Sequence, residues 1–137
     1  EDPARRRLAG YTVFNRLVEL DRRADRILRA PHSKYAQGYQ RRGIASAVYR
    51  WWLGRGNCLI SGARQSAGAH ALWHALARER ALVCVELRDR RLRYLPQDAS
   101  PGLRDDLHTR MILLGEGWSL TGLAACAGLC GVDPALR

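Results

Sequence analysis

A chain of 137 residues with 47% hydrophobic side chains is long enough to bury a core and too apolar for a disordered segment. Twenty-three basic residues against thirteen acidic ones leave a formal charge of +10, which points to acidic partners: a phosphorylated cofactor, nucleic acid or an anionic surface. No apolar run approaches the ~18 residues of a membrane span, and the N-terminus is charged, so neither a transmembrane segment nor a signal peptide is expected.

Lys34 is the one lysine, and the arginine bias fits a GC-rich, bacterial genome. The first residue is not Met, as in a trimmed chain. Cys58 and Cys84 lie in apolar runs and read as buried free thiols. Cys126 and Cys130 are four apart with no histidine or second cysteine pair close by, so no metal site is expected. Reduced thiols imply a cytoplasmic protein.

Glu1 to Arg7 reads as a frayed leader. Tyr11 and Val13 alternate with polar or small residues as in a strand, which Leu17 to Leu20 extend. After a charged turn at Asp21 to Asp25, Ile27-Leu28 begins a second strand that stops near Pro31. This predicts a hairpin; the alternative is a helix over Arg16–Arg29, for which Leu17, Leu20, Ala24, Ile27 and Leu28 are also spaced. His32 to Gly38 reads as a polar connection.

Ile44 to Leu53 predicts an amphipathic helix with Ile44, Val48, Trp51 and Trp52 on its apolar face, closed by Gly54 and Gly56. Asn57 to Ser61 reads as a buried, parallel strand, completing a strand–helix–strand unit. A helix over Ala67–Arg80, a strand over Ala81–Leu87, a tight turn and a return strand over Leu92–Leu95 follow. Pro96 to Asp106 is a loop, and His108 to Leu114 is another strand. Trp118 to Leu129 resembles the first helix and turn of a helix-turn-helix, with Ala124 and Gly128 at the expected separation; otherwise it is a small-residue helix packed on the sheet or on a dimer partner. The sum is one mixed α/β domain over residues 1–137.

The chemistry concentrates in Gln40-Arg41-Arg42-Gly43-Ile44-Ala45, just ahead of the first long helix. Uncapped N–H groups and the positive helix end suit a phosphate there. Gly43 permits close backbone approach, and Arg41 and Arg42 add charge-assisted hydrogen bonds.

This hexapeptide resembles the pyrophosphate-binding signature of the GNAT superfamily of acetyltransferases, Gln/Arg-x-x-Gly-x-Gly/Ala, with Gln40, Gly43 and Ala45 in its three fixed positions. Downstream, Ser66 to Trp73 is similar to the family's Asn-x-x-Ala-x-x-Leu-Tyr: Ala69 and Leu72 match, Ser66 replaces Asn and Trp73 replaces Tyr. The resemblance covers about residues 27–95. It implies a GNAT-like central mixed sheet with a βαβ acyl-CoA-binding unit and flanking helices. It further implies transfer of an acetyl group from acetyl-CoA, held by Gln40 to Ala45 and Ser66, to an amine. That amine could be a small molecule, a peptide N-terminus, a lysine or an aminoacyl-tRNA.

The departures define the alternatives. In the family the motif tyrosine protonates the leaving thiolate, and the indole N–H of Trp73 has no proton to give. His74 is a candidate acid, as are Tyr35 and Tyr39; Glu19 is a candidate base, beside His32 and Glu116. Only 39 residues precede Gln40, fewer than the family's acceptor-site helices need, so a second subunit could complete the site. The other readings are a non-catalytic GNAT-like binding or assembly protein and a basic nucleic-acid-binding protein. The strand neighbouring the acyl-binding strand is normally splayed from it, and Pro31 to Gly38, in that position, makes a poor strand.

Overall fold

The computed structural model describes residue 4 and residues 8–40, 43–63, 65–96 and 108–132. In chain order these form β1 (Gly10–Asn15), α1 (Arg22–Asp25), β2 (Leu28–Tyr35), a 3-10 turn (Gln37–Tyr39), α2 (Ile44–Gly54) and β3 (Cys58–Ile60). Then come α3 (Ala67–Leu76), β4 (Leu82–Arg88), β5 (Arg91–Leu95), β6 (Thr109–Leu113) and α4 (Leu120–Ala127). The expected mixed α/β class is what the described residues form. Their six strands make one sheet in the order β1-β2-β3-β6-β4-β5, with β2 parallel to β3 and every other neighbouring pair antiparallel.

The two faces of the sheet carry separate cores, as period-two alternation requires. On one face Leu28, Cys58, Ile60, Val85 and Ile112 pack under Leu20, Ala24 of α1, and Leu123 and Ala127 of α4. On the other, Leu59 and Leu113 pack under Tyr49 and Leu53 of α2 and Trp73 and Leu76 of α3. The strand–helix–strand unit is therefore β2-α2-β3, sandwiched between layers of helix.

Local chemistry sets the boundaries. Asp21 caps α1 by accepting from the Ala24 N–H at 2.9 Å, and Ser119 caps α4 by accepting from Gly122 N–H at 3.0 Å. Asp89 and Arg90, both with positive φ (53° and 64°), make the two-residue turn between β4 and β5.

Several expectations change. Leu17 to Leu20 does not extend β1; it forms a turn that buries Leu20. The buried stripe of α2 is Tyr49 and Leu53, with Trp52 half-buried, whereas Trp51 is 56% exposed. Trp52 stacks flat on Phe14 at 4.1 Å between ring centroids, and that contact rotates the helix away from the face read from the sequence. α3 stops at Leu76 rather than Arg80. The would-be helix-turn-helix ends at Gly128, in the left-handed conformation (φ 76°). Cys130 then bridges to Arg93 along β5, so the chain does not enter a second helix there. Pro96–Asp106 is covered only at Pro96; positions 97–106 lie outside the described residues, as does most of the expected leader.

The most consequential correction concerns Pro31. β2 continues through it to Tyr35, paired throughout with β1. Its register with β3, however, holds only at Leu28↔Cys58 and Arg29↔Leu59. The Ala36 N–H donates to the Ala9 carbonyl at 2.8 Å, which fixes the alternation of the β1–β2 ladder. By that alternation Pro31, Ser33 and Tyr35 direct their backbone N–H positions away from β1, toward the β3 side. Proline has no N–H to give at the next rung, so the ladder with β3 ends there and the two parallel strands part.

Candidate functional site

The gap between β2 and β3 opens at their C-terminal ends, where an open α/β sheet presents its ligand crevice. Beyond Arg29, β2 has no strand on its β3 side among the described residues. The backbone N–H groups of Ser33 and Tyr35 face this opening. The Tyr35 carbonyl on the same edge accepts from Gln40 Nε2 at 3.0 Å, so Gln40 folds the loop back onto the strand.

That loop delivers the chain to α2. Gly43 is its N-cap, at φ 75° and ψ 13°, and no side chain among the described residues caps the helix. The Gly43 carbonyl accepts the first helical bond, from Ala47 N–H at 3.0 Å. A Cβ placed on Gly43 would meet none of the described residues within 4 Å, its chain neighbours aside. Ile44 and Ala45 form the first turn with their N–H groups at that end. Arg41 and Arg42, expected beside them, lie outside the described residues.

A row of hydroxyls lines the splayed half of β2. Thr12 Oγ1 lies 2.7 Å from both Ser33 Oγ and Tyr35 Oη. Tyr49, from α2, joins through a side-chain hydrogen bond with Ser33. Burial pushes the Tyr49 phenol above its ordinary range, and the Ser33 hydrogen bond opposes this in part. Tyr35 reaches Thr12 because Gly10 leaves room: a Cβ there would collide with the Tyr35 ring and the backbone of Lys34 and Tyr35. Of this group only Tyr35 was expected from the sequence. The available signal was the alternation of Thr12, Ser33 and Tyr35 onto one face of paired strands.

The remaining expected residues scatter. Ser66 is exposed and caps α3, its Oγ accepting from Ala69 N–H at 3.1 Å. Trp73 is 1% exposed and is a core residue. His74 is exposed two turns beyond Ser66, its ring 4.2 Å from that of His70, beside a depression shared with Cys84 and Tyr94. Glu19 lies on the opposite face of the sheet from α2, where Arg110 Nη2 donates to its Oε2 at 3.4 Å. His32 faces the ring of Tyr11, Glu116 pairs with Arg80 at 2.5 Å, and Tyr39 is buried. Among the described residues no group of three His, Cys, Asp or Glu side chains is disposed to hold a metal ion, and no helix is long and apolar enough to cross a membrane.

No family model, no characterised protein and no solved structure matches the chain.

Proposed function

We propose that the chain binds acetyl-CoA at the mouth of the β2–β3 opening and transfers its acetyl group to an amine. The observation that carries this is the coincidence of two features. The parallel pair parts after two register positions, and the loop leaving β2 ends in a helix N-terminus that no side chain among the described residues caps, at a glycine with room for a Cβ. A ligand whose pyrophosphate leads into a narrow, amide-bearing arm ending in a thioester fits a cationic helix end next to a slot between strands.

Bound there, acetyl-CoA supplies the thioester that an amine attacks directly. The N–H groups at the start of α2 hold the pyrophosphate, with Arg41 and Arg42 next to them in sequence. The Ser33 and Tyr35 N–H groups, facing the slot, donate to the carbonyl oxygen as it gains charge. The Tyr35 hydroxyl, linked to Thr12, is the acid we assign to the departing sulfur in place of the phenol that Trp73 lacks. His74 and Glu19, on other parts of the molecule, are not needed in this scheme.

Isothermal titration with acetyl-CoA tests the proposal, using Gly43→Asn and Gly43→Asp. Both side chains tolerate positive φ better than most, so the helix start survives in each. Micromolar affinity in the wild type, kept within about threefold by the Asn variant and reduced at least tenfold by the Asp variant, is the expected pattern. Absence of binding by the folded wild type refutes it. Binding without turnover of any amine leaves the non-catalytic alternative.

One observation favours a second reading, single-stranded nucleic acid as ligand. Trp51 is 56% exposed and the Arg55 guanidinium lies 5.4 Å from its ring centroid, a platform on which a base can stack. Strongly salt-dependent oligonucleotide binding, alongside no affinity for acetyl-CoA, would select it.

A further inference from the structure

We infer that β1 is the seam of a homodimer, in which two copies of this chain pair their edge strands antiparallel about a two-fold axis at Thr12. The inference stands independently of the acetyl-CoA reading.

The two edges of the sheet differ. At β5 the segment after α4 covers the outer side: the Tyr94 N–H donates to the Cys130 carbonyl at 2.7 Å, and the Cys130 N–H to the Leu92 carbonyl at 2.9 Å. Arg91 and Arg93 on that strand are exposed, and such charges discourage further pairing. β1 has neither protection. Its sequence, Gly-Tyr-Thr-Val-Phe-Asn, holds no charge and no proline, and its register with β2 runs without a bulge. Five large hydrophobic side chains are exposed among the described residues, and four of them, Leu8, Tyr11, Val13 and Val18, lie on this strand or within three residues of its ends. Apolar surface gathered at an unpaired strand edge marks an association site.

The hydrogen-bonding alternation makes this edge complementary to itself, which is what selects a second copy as the occupant. The bond from the Ala36 N–H to the Ala9 carbonyl makes Tyr11, Val13 and Asn15 the residues that bond to β2. Gly10, Thr12 and Phe14 therefore turn their N–H and C=O groups outward, where no strand among the described residues pairs with them. A two-fold axis at Thr12 sets Thr12 against Thr12 and Gly10 against Phe14, so every outward group finds a partner. Sliding the register by two residues carries Gly10 or Phe14 past the end of the opposite strand. On one face Tyr11, 42% exposed, then lies opposite Val13 of the second copy, also 42% exposed, as an aromatic–β-branched pair. On the other face Phe14 meets Gly10, which has no side chain to obstruct it. Arg16, just past the strand, is held by Asp25 at 2.5 Å, so two chains of charge +10 meet along a strand that carries none of it. The pairing also sets the Thr12, Ser33 and Tyr35 hydroxyl rows of the two copies side by side.

Sedimentation velocity of the full chain from about 5 to about 500 µM tests this, because one strand seam is small beside the ~1,200–2,000 Å² of a stable interface and the dimer should dissociate within that range. A monomer–dimer equilibrium is expected, tightening as sodium chloride screens the like charges. Val13→Lys puts a charge at an exposed position of the seam and should weaken the dimer about tenfold or more, with the circular dichroism of the fold unchanged. In a background of Cys126→Ser and Cys130→Ser, a Tyr11→Cys chain mixed with a Val13→Cys chain should form the mixed disulfide in preference to either homodisulfide, because those two positions stand opposite each other. A monomer throughout the range overturns the inference. So does a dimer that Val13→Lys leaves intact, or one whose cysteines form homodisulfides as readily as the mixed bridge.

Discussion

At the scale of single residues, burial decides which side chains are chemically available. Cys58 is completely buried, and burial pushes its thiol above the ordinary range, while the Gly115 N–H that donates to its sulfur pulls the other way. Cys126 and Cys130 are exposed. Tyr49 is also raised, again chiefly by burial. A group whose folded value is raised above its unfolded value keeps its proton longer in the native state. From about pH 9 upward the unfolded chain therefore binds fewer protons than the native one, and stability falls as pH rises through the raised values. Urea midpoints measured between pH 8 and pH 11 should decline, and Tyr49→Phe should flatten the upper part of that decline. A profile unchanged by the substitution would show that Tyr49 is not raised. The burial of Cys58 could be read from the apolar run Cys58-Leu59-Ile60; the network of Tyr49 could not, since it depends on which strand lies opposite the helix.

At the scale of elements, most of the fold was legible because periodicity and turn chemistry agree. The α2 helix, the β4–β5 hairpin with its turn at Asp89-Arg90, and the β2-α2-β3 unit all follow from local pattern. What failed depended on partners distant in sequence. Trp51 and Trp52 are equally apolar, and only the Phe14 ring on β1 determines that Trp52 turns inward. Pro31 has the composition of a strand terminator, yet β1 holds β2 in register across it, so its effect is confined to the other edge. The splay of the proposed site is thus the work of one missing N–H. Pro31→Val should restore the donor opposite Ser61, the next position in the parallel register, and extend the ladder by a rung. The slot would narrow, and acetyl-CoA affinity should drop about tenfold with stability held or raised. A fall in affinity accompanied by unfolding would instead mean that Pro31 is needed by the β1–β2 pair. Hydrogen exchange at residue 31 distinguishes these outcomes, because a new rung to the Ile60 carbonyl protects that amide, whereas the Ser61 N–H already donates to the Met111 carbonyl.

For the whole molecule, the excess of positive charge is the dominant long-range term. Ion pairs such as Arg16–Asp25, Arg50–Glu79 and Arg80–Glu116 lie at the surface, where each contributes little and salt weakens it. The formal charge of +10 acts over a longer range and opposes compaction. Raising sodium chloride from about 10 mM to 200 mM shortens the screening length from ~30 Å to under 10 Å, so the net result should be stabilisation, by a few degrees in Tm. General screening depends on ionic strength alone, whereas the proposed pyrophosphate site adds a term that depends on the anion. Inorganic pyrophosphate matched to chloride in ionic strength should therefore raise Tm further, because a ligand that binds only the native state stabilises by mass action. The extra increment should survive Gly43→Asn and vanish in Gly43→Asp, whose carboxylate occupies the helix end itself. If it survives in the Asp variant, the pyrophosphate is bound elsewhere on this cationic surface, and the helix N-terminus is only the start of a helix.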